Sequence, residues 1–321
     1  MKSTGIHGLA CLMGLAALVI CSSALYAQNQ QQQLTPGQNP AMLCATLREG
    51  YTNFQACHSA TQFQMCSMAQ LAVEDQTQAR RFDAIMGESD PDRAVRLVND
   101  FVRRYPDSPL LSYAYSYGAN AYQQKGDVEK IAEYSGKSLK FDPDNLMSLI
   151  LSVEVLPQPQ YIRKHPADRS KILRQAQYEA DRALQLVPQI PQQPKEAEAD
   201  YHKRLATVAS EVHGALGTLH LQLAYRGPGG LDRAELAKAE QEFRTAVTTT
   251  SHPDPRDYYR LGEVYGVEGK LDDGIQAFRK AGKLAPDTAI EAYSNEQVAR
   301  LKKRKAQSLA ASNVVPRPET K

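Results

Sequence analysis

Tryptophan is absent from the 321 residues, and no cysteine follows Cys66. Whatever folds beyond that point does so without disulfides or cysteine-held metal, and its aromatic packing rests on Tyr and Phe alone. Net charge is scarce too, a formal +2 from 38 basic and 36 acidic residues. A strongly basic face is the usual footprint of nucleic-acid binding, and this balance gives no reason to expect one. The chain has no His-Glu-x-x-His, no Gly-x-Ser-x-Gly, no phosphate loop and no dinucleotide fingerprint. Hydrolytic, phosphoryl-transfer and nicotinamide chemistries therefore have no motif to stand on. The run Arg226-Gly227-Pro228-Gly229-Gly230 lies between two helical patterns, whereas a phosphate loop follows a strand, so it reads as a turn. We expect a non-enzymatic chain without a cofactor.

Residues 1–27 carry Lys2, an apolar run from Leu9 to Ile20 and then small residues, the layout of a secretory signal peptide cleaved after Ala24 or Ala27. The run is shorter than the ~20 residues a spanning helix needs, so the mature form is expected to have no transmembrane span and to lie in the periplasm or outside the cell. A lipoprotein processed at Cys21 and a retained anchor are the alternatives. Residues 28–40 read as a Gln- and Pro-rich flexible leader, and 41–75 as a cysteine-containing helical segment. Cys44, Cys57 and Cys66 are the disulfide candidates there. Their odd number leaves one thiol unpaired or bridging two chains, and their spacings of thirteen and nine match no zinc pattern, so no metal is expected.

Beyond residue 75 apolar residues recur at helical spacing. The clearest stretch is Tyr258-x-x-Leu261-Gly262-x-x-Tyr265, then Gly269, Gly274-x-x-x-Phe278, Ala281 and Pro286. It predicts two short amphipathic helices, with Gly269 taking the turn and Pro286 ending the second. Gly262 is small enough to admit the neighbouring helix. This order resembles the tetratricopeptide repeat, whose period is about 34 residues. It departs from the family in Tyr258, where Trp is favoured, and in Gly274, where Ala is. Similar units are read at about 76–107, 112–144, 146–188 and 196–252, before the one at 255–288. A capping helix is read over 289–311 and a disordered tail over 312–321.

Asp90-Pro91 is expected to open the second helix of the first unit. In the second unit Tyr115 and Tyr122 are expected to pack, leaving Tyr113 and Tyr117 accessible. In the third, Pro157 to Pro166 is read as a basic loop carrying Arg163, Lys164 and His165. His213 and His220, two turns apart on one face, are read as packed core residues. On the capping helix Ile290, Tyr293, Val298 and Leu301 are expected inside, with Arg300, Lys302, Lys303, Arg304 and Lys305 outside. That basic cluster solubilises the end of the stack, or meets anionic lipid or an acidic partner.

The resemblance implies an all-α fold, helix hairpins stacked into a right-handed superhelical solenoid of the exported bacterial type. It also implies a scaffold or adaptor that binds a peptide or protein segment along a concave groove. The groove positions are Tyr113, Ser116, Asn120 and Gln123 in the second unit. In the fourth they are Glu211, Thr218 and Gln222, and in the fifth Arg256, Tyr259 and Glu263. Asn120 matches one position of the family's carboxylate clamp, but Ser116 and Tyr259 stand where its basic partners would, so a C-terminal carboxylate is not the expected ligand. Multipoint polar recognition of moderate affinity is. The alternatives are a structural subunit of an envelope complex, linked through the unpaired cysteine, and a metal- or small-molecule-binding module built on the cysteine segment.

Overall fold

The computed structural model describes residues 75–193, 195–225 and 230–312, and every regular element among them is a helix. The signal-like segment, the leader, and Cys44, Cys57 and Cys66 lie outside the described residues, as does the tail from 313. The described chain divides into two compact units, residues 75–155 with 188–196, and 156–187 with 197–312.

The first unit runs α1 (Gln76–Met86), α2 (Pro91–Arg104), α3 (Leu111–Lys125), α4 (Val128–Phe141) and α5 (Leu146–Val155). Three of these helices begin at an aspartate. The side chains of Asp75, Asp90 and Asp127 accept from the amides of Gln78, Arg93 and Lys130, donors that the first turn cannot satisfy itself. Pro91 fills the first turn of α2, where its missing N–H costs nothing. α3 ends at Gly126, whose φ of 70° suits a residue without a side chain.

α3 is the hub of this unit, since α1, α2, α4 and α5 all pack against it. A helix enclosed on all sides buries residues all round. Tyr113 and Tyr117 are accordingly 3% and 6% exposed, inside a core with Phe82, Phe101 and Ile131, while Tyr115 and Tyr122 are only half-buried. Tyr113 and Tyr117 are thus interior rather than accessible as expected, while Tyr115 and Tyr122 pack against the same core, as expected. Tyr115 and Tyr122 ring the buried Tyr134 edge-on, at 5.8 and 4.9 Å between centroids. The Tyr134 hydroxyl donates to Asn99 Oδ1 at 2.7 Å. A buried polar seam joins α3, α4 and the start of α5. Ser112 and Ser138 share a 3.0 Å hydrogen bond, Asn145 Nδ2 donates to Ser112 Oγ at 3.0 Å, and Asn145 Oδ1 accepts from the Ser148 amide. Partners for the Ser112, Ser138 and Asn145 side chains make such a seam tolerable in an apolar core, although the buried Ser148 hydroxyl has no hydrogen-bond partner.

The second unit contains α6 (Pro159–Lys164), a short 3-10 turn (Pro166–Asp168), α7 (Arg169–Leu186), α8 (Glu198–Ala224), α9 (Arg233–Thr249), α10 (Pro255–Glu268), α11 (Leu271–Leu284) and α12 (Ala289–Ser312). The segment expected as a basic loop instead folds as α6. Pro159 opens it, Ile162 is buried, and Arg163 and Lys164 stay exposed in its last turn. The two helices read as the third repeat each lie within their own unit. α5 packs on α3 and α4, whereas α7 packs on α8.

One contact recurs in three hairpins. A Cβ added at Gly118 would lie 2.6 Å from the Tyr134 ring, one at Gly217 2.6 Å from the Phe243 ring, and one at Gly262 2.9 Å from the Phe278 ring. In each, the first helix lacks a side chain where the second presents an aromatic ring. The glycine-to-ring separation is sixteen residues in the α3/α4 and α10/α11 hairpins and twenty-six in α8/α9, whose connection is longer. Gly274, a departure from the repeat pattern, has a similar cause: a Cβ there would meet Leu301 of α12 at 2.8 Å.

Gly262→Ala is expected to cost about 1–3 kcal/mol, because Phe278 is buried and its ring cannot retreat. Gly136, inside α4, has open space at its Cβ position, so Gly136→Ala is expected to stabilise by ~0.5–1 kcal/mol. Chemical denaturation of the two variants should therefore shift in opposite directions. Burial also pushes the Tyr134 hydroxyl up to about 12 from an ordinary 10.0. Below pH 10 both folded and unfolded forms keep that proton. Between 10 and 12 only the unfolded chain releases it, so this contribution to stability falls with rising pH across that window. Absorbance titration near 295 nm should find one tyrosine ionising last, with loss of helix accompanying it.

Candidate binding face

The face is built from α10. Pro255 sets its first turn, and Asp254 Oδ1 accepts from the Arg256 amide at 2.7 Å. One side of the helix sends Leu261 and Val264 into a core with Phe243, Leu236 and Ala277. Arg256, Tyr259, Arg260 and Glu263 then fall together on another side, at the i, i+3, i+4 and i+7 positions that share a helical face. Arg256 is exposed, and its Nε lies 2.7 Å from Asp254 Oδ2. Arg260 Nη1 reaches Glu263 Oε2 at 2.7 Å. The Tyr259 ring stands edge-on to Phe278, 5.1 Å between centroids. Burial first, and the Glu263 carboxylate second, hold its hydroxyl above the ordinary tyrosine range, and it hydrogen-bonds Gln297 of α12. Tyr225, just past α8, is 48% exposed. Burial, and then Glu263, push its hydroxyl up as well. Three helices thus bring Tyr225, Tyr259, Arg260, Glu263 and Gln297 to one polar face of the second unit.

The other sequence-derived positions fare differently. Ser116 and Asn120 are 1% and 6% exposed, and Ser116 Oγ donates to the Tyr113 carbonyl of its own helix. Together with Tyr113 they are interior residues, because α1 and α5 enclose α3, and they do not line an open groove. Gln123 is half-buried, and its amide donates to Glu154 of α5 at 2.9 Å. On α8, Glu211, Thr218 and Gln222 are half-buried. The Thr218 hydroxyl is spent on the Gly214 carbonyl at 3.1 Å. Of the ten positions, Arg256, Tyr259 and Glu263 are the ones placed on the α10 face.

Several contributors had no sequence signal. Arg169 of α7 donates through Nη2 to the carbonyls of Gln222 and Tyr225, the latter at 3.2 Å, satisfying acceptors that the end of α8 leaves open. Arg304 of α12 does the same for α10, with Nη1 2.6 Å from the Gly266 oxygen. Lys305 bonds both oxygens of Asp272. Arg304 and Lys305 are therefore committed to the preceding hairpin, whereas Arg300, Lys302 and Lys303 stay exposed. Tyr293, expected inside, is 58% exposed, and Ser294 takes the inner place beside Val298 and Leu301.

His213 and His220 each meet a glutamate across the α8/α9 hairpin. Nδ1 lies 2.6 Å from Glu242 Oε2 in the first and 2.8 Å from Glu235 Oε2 in the second. Among the described residues no group of three or more His, Cys, Asp or Glu is arranged to hold a metal ion. No described helix is long and apolar enough to cross a membrane.

Arg169→Met keeps the aliphatic stem and removes the donors. We expect a loss of about 1 kcal/mol and faster hydrogen exchange at the last turn of α8. Unchanged exchange there would show that the cap contributes nothing.

No family model matches the chain, and no curated protein does. Among solved structures it is similar to the crystal structure of a thermophilic TPR protein from Thermus thermophilus. The two share 18% identity, the match covers 65% of this chain and 91% of that one, and the TM-score is 0.41. The all-helical hairpin architecture described above stands on the hairpins' own packing.

Proposed function

We propose that the protein is a non-enzymatic interaction scaffold that holds a peptide or protein segment against the α10 face. The observation that carries this is the convergence of Tyr225, Tyr259, Arg260 and Glu263 on helices whose backbones are held by buried packing. Tyrosine and arginine are the residues that interfaces enrich and that dominate binding energy when truncated. Rigid helices also spare a partner the cost of ordering the site. The signal-like layout of residues 1–27 supports action in the cell envelope or outside the cell.

The test is photo-cross-linking in the source cells, with the reactive residue at Arg256 beside the face and, as a control, at the exposed Gln276 on α11. We expect a discrete protein adduct from position 256 and none from 276. The adduct should vanish in a Tyr259→Ala/Arg260→Glu background, since hot-spot truncations cost about 2 kcal/mol or more. Survival of the adduct in that background would move the site off this face.

A further inference from the structure

α12 is the last described helix of the second unit, and only one side of it is used by the fold. Ser294, Val298 and Leu301 face inward, with Val298 and Leu301 joining Ile275 and Phe278 in a small core. The opposite arc carries Tyr293, Glu296, Ala299, Arg300, Lys303 and Ala306, all exposed. Among the described residues neither Glu296 nor Lys303 has an ion-pair partner on its own chain. Glu296 and Arg300 stand at i,i+4, the spacing at which such a pair is usual, and still no bridge joins them.

The order of residues along this arc has a symmetry. Reflected about the point between Ala299 and Arg300, Glu296 falls on Lys303 and Tyr293 on Ala306. An antiparallel second copy of the same helix, related by a two-fold axis through that point, would set each Glu296 against a Lys303. It would also set each large exposed Tyr293 ring over a small Ala306. A two-fold interface needs this self-complementarity, because the same patch serves both sides. An acidic peptide or an anionic lipid surface fits less well, since a carboxylate stands within the arc. We infer that the outward face of α12 is a homodimer interface, formed with a second copy of this chain in antiparallel register. The helix has 24 residues, about 36 Å at ~1.5 Å per residue. One helix pair of that length buries less than the ~800 Å² per partner of a standard interface. The dimer is therefore weak, concentration-dependent and salt-sensitive. Glu296 lies near enough to Tyr259 of the α10 face to help raise its hydroxyl, but the inference goes beyond the scaffold reading and is read out separately, by the oligomeric state.

The experiment is sedimentation equilibrium of the full chain under reducing conditions, so that no cysteine bridge can contribute. We expect a monomer–dimer equilibrium weakened roughly tenfold or more by either Glu296→Lys or Lys303→Glu, since each replaces two attractions with two repulsions. Equal amounts of the two variants, mixed, should dimerise again, because each copy then carries one sign against the other. Both residues are exposed, so helix content should stay that of the wild type. A chain that remains monomeric at its highest attainable concentration overturns the inference, even if it binds anionic vesicles. So do variants that dimerise like the wild type, or a mixture that fails to restore dimers.

Discussion

The packing depends on a missing methyl group. Where Gly118, Gly217 and Gly262 face Tyr134, Phe243 and Phe278, the space a Cβ would need is already filled by a ring. The ring brings a large apolar surface, and the glycine lets the opposing backbone come close enough to cover it. A fully buried Phe contributes roughly 1.5–3 kcal/mol through area removed from water, and that burial is available only at this approach distance. The hairpin spacing and the faces left outside follow from it. Once Phe278 is seated against Gly262, Leu261 and Val264 turn toward the α8/α9 hairpin and Tyr259 is drawn to the ring edge.

This dependence explains what can be read from the chain alone. A contact that demands glycine at one place and an aromatic at a set distance leaves a sequence period, so the stretch from Tyr258 to Pro286 is legible as a hairpin. The same residues, with the helical spacing from Arg256, suffice to put Tyr259 and Glu263 on a common side. What a helix meets beyond its own hairpin leaves no such trace. Tyr113, Ser116 and Asn120 look like surface positions by repeat arithmetic, and are interior because α1 and α5 close over α3. Arg169 caps α8 across more than fifty residues of chain, and Gln297 reaches Tyr259 from a helix with a different pattern. The basic segment before α7 escapes a sequence reading for a local reason. One buried residue, Ile162, and Pro159 in the first turn make a short helix of what composition suggests is a loop.

The α10 face differs in kind from the packing beneath it. Its ion pair, Arg260 with Glu263, keeps about a third of each side chain in water, and exposed pairs of this sort contribute only about 0–1 kcal/mol. Either member can be drawn to a new partner at little cost to the fold. The His–Glu pairs of the α8/α9 hairpin, at 11–22% side-chain exposure, lie deeper, and their separation would leave polar groups without water or partner. Structural and available polar groups are thus sorted by depth within the same unit.

The α8/α9 connection is closed at its base. Tyr225 and Leu231 form an antiparallel bridge, and the Asp232 amide donates to the Ala224 carbonyl at 2.8 Å. Its ends are therefore held whatever lies between them. The entropic cost of a longer chain between fixed ends grows only with the logarithm of its length, ~0.6 kcal/mol per doubling. The sequence between Tyr225 and Leu231 is thus a place where evolution can insert or delete residues while the closed base keeps its hydrogen bonds. New partner preference could be acquired there without any change to the glycine and ring that hold the hairpin.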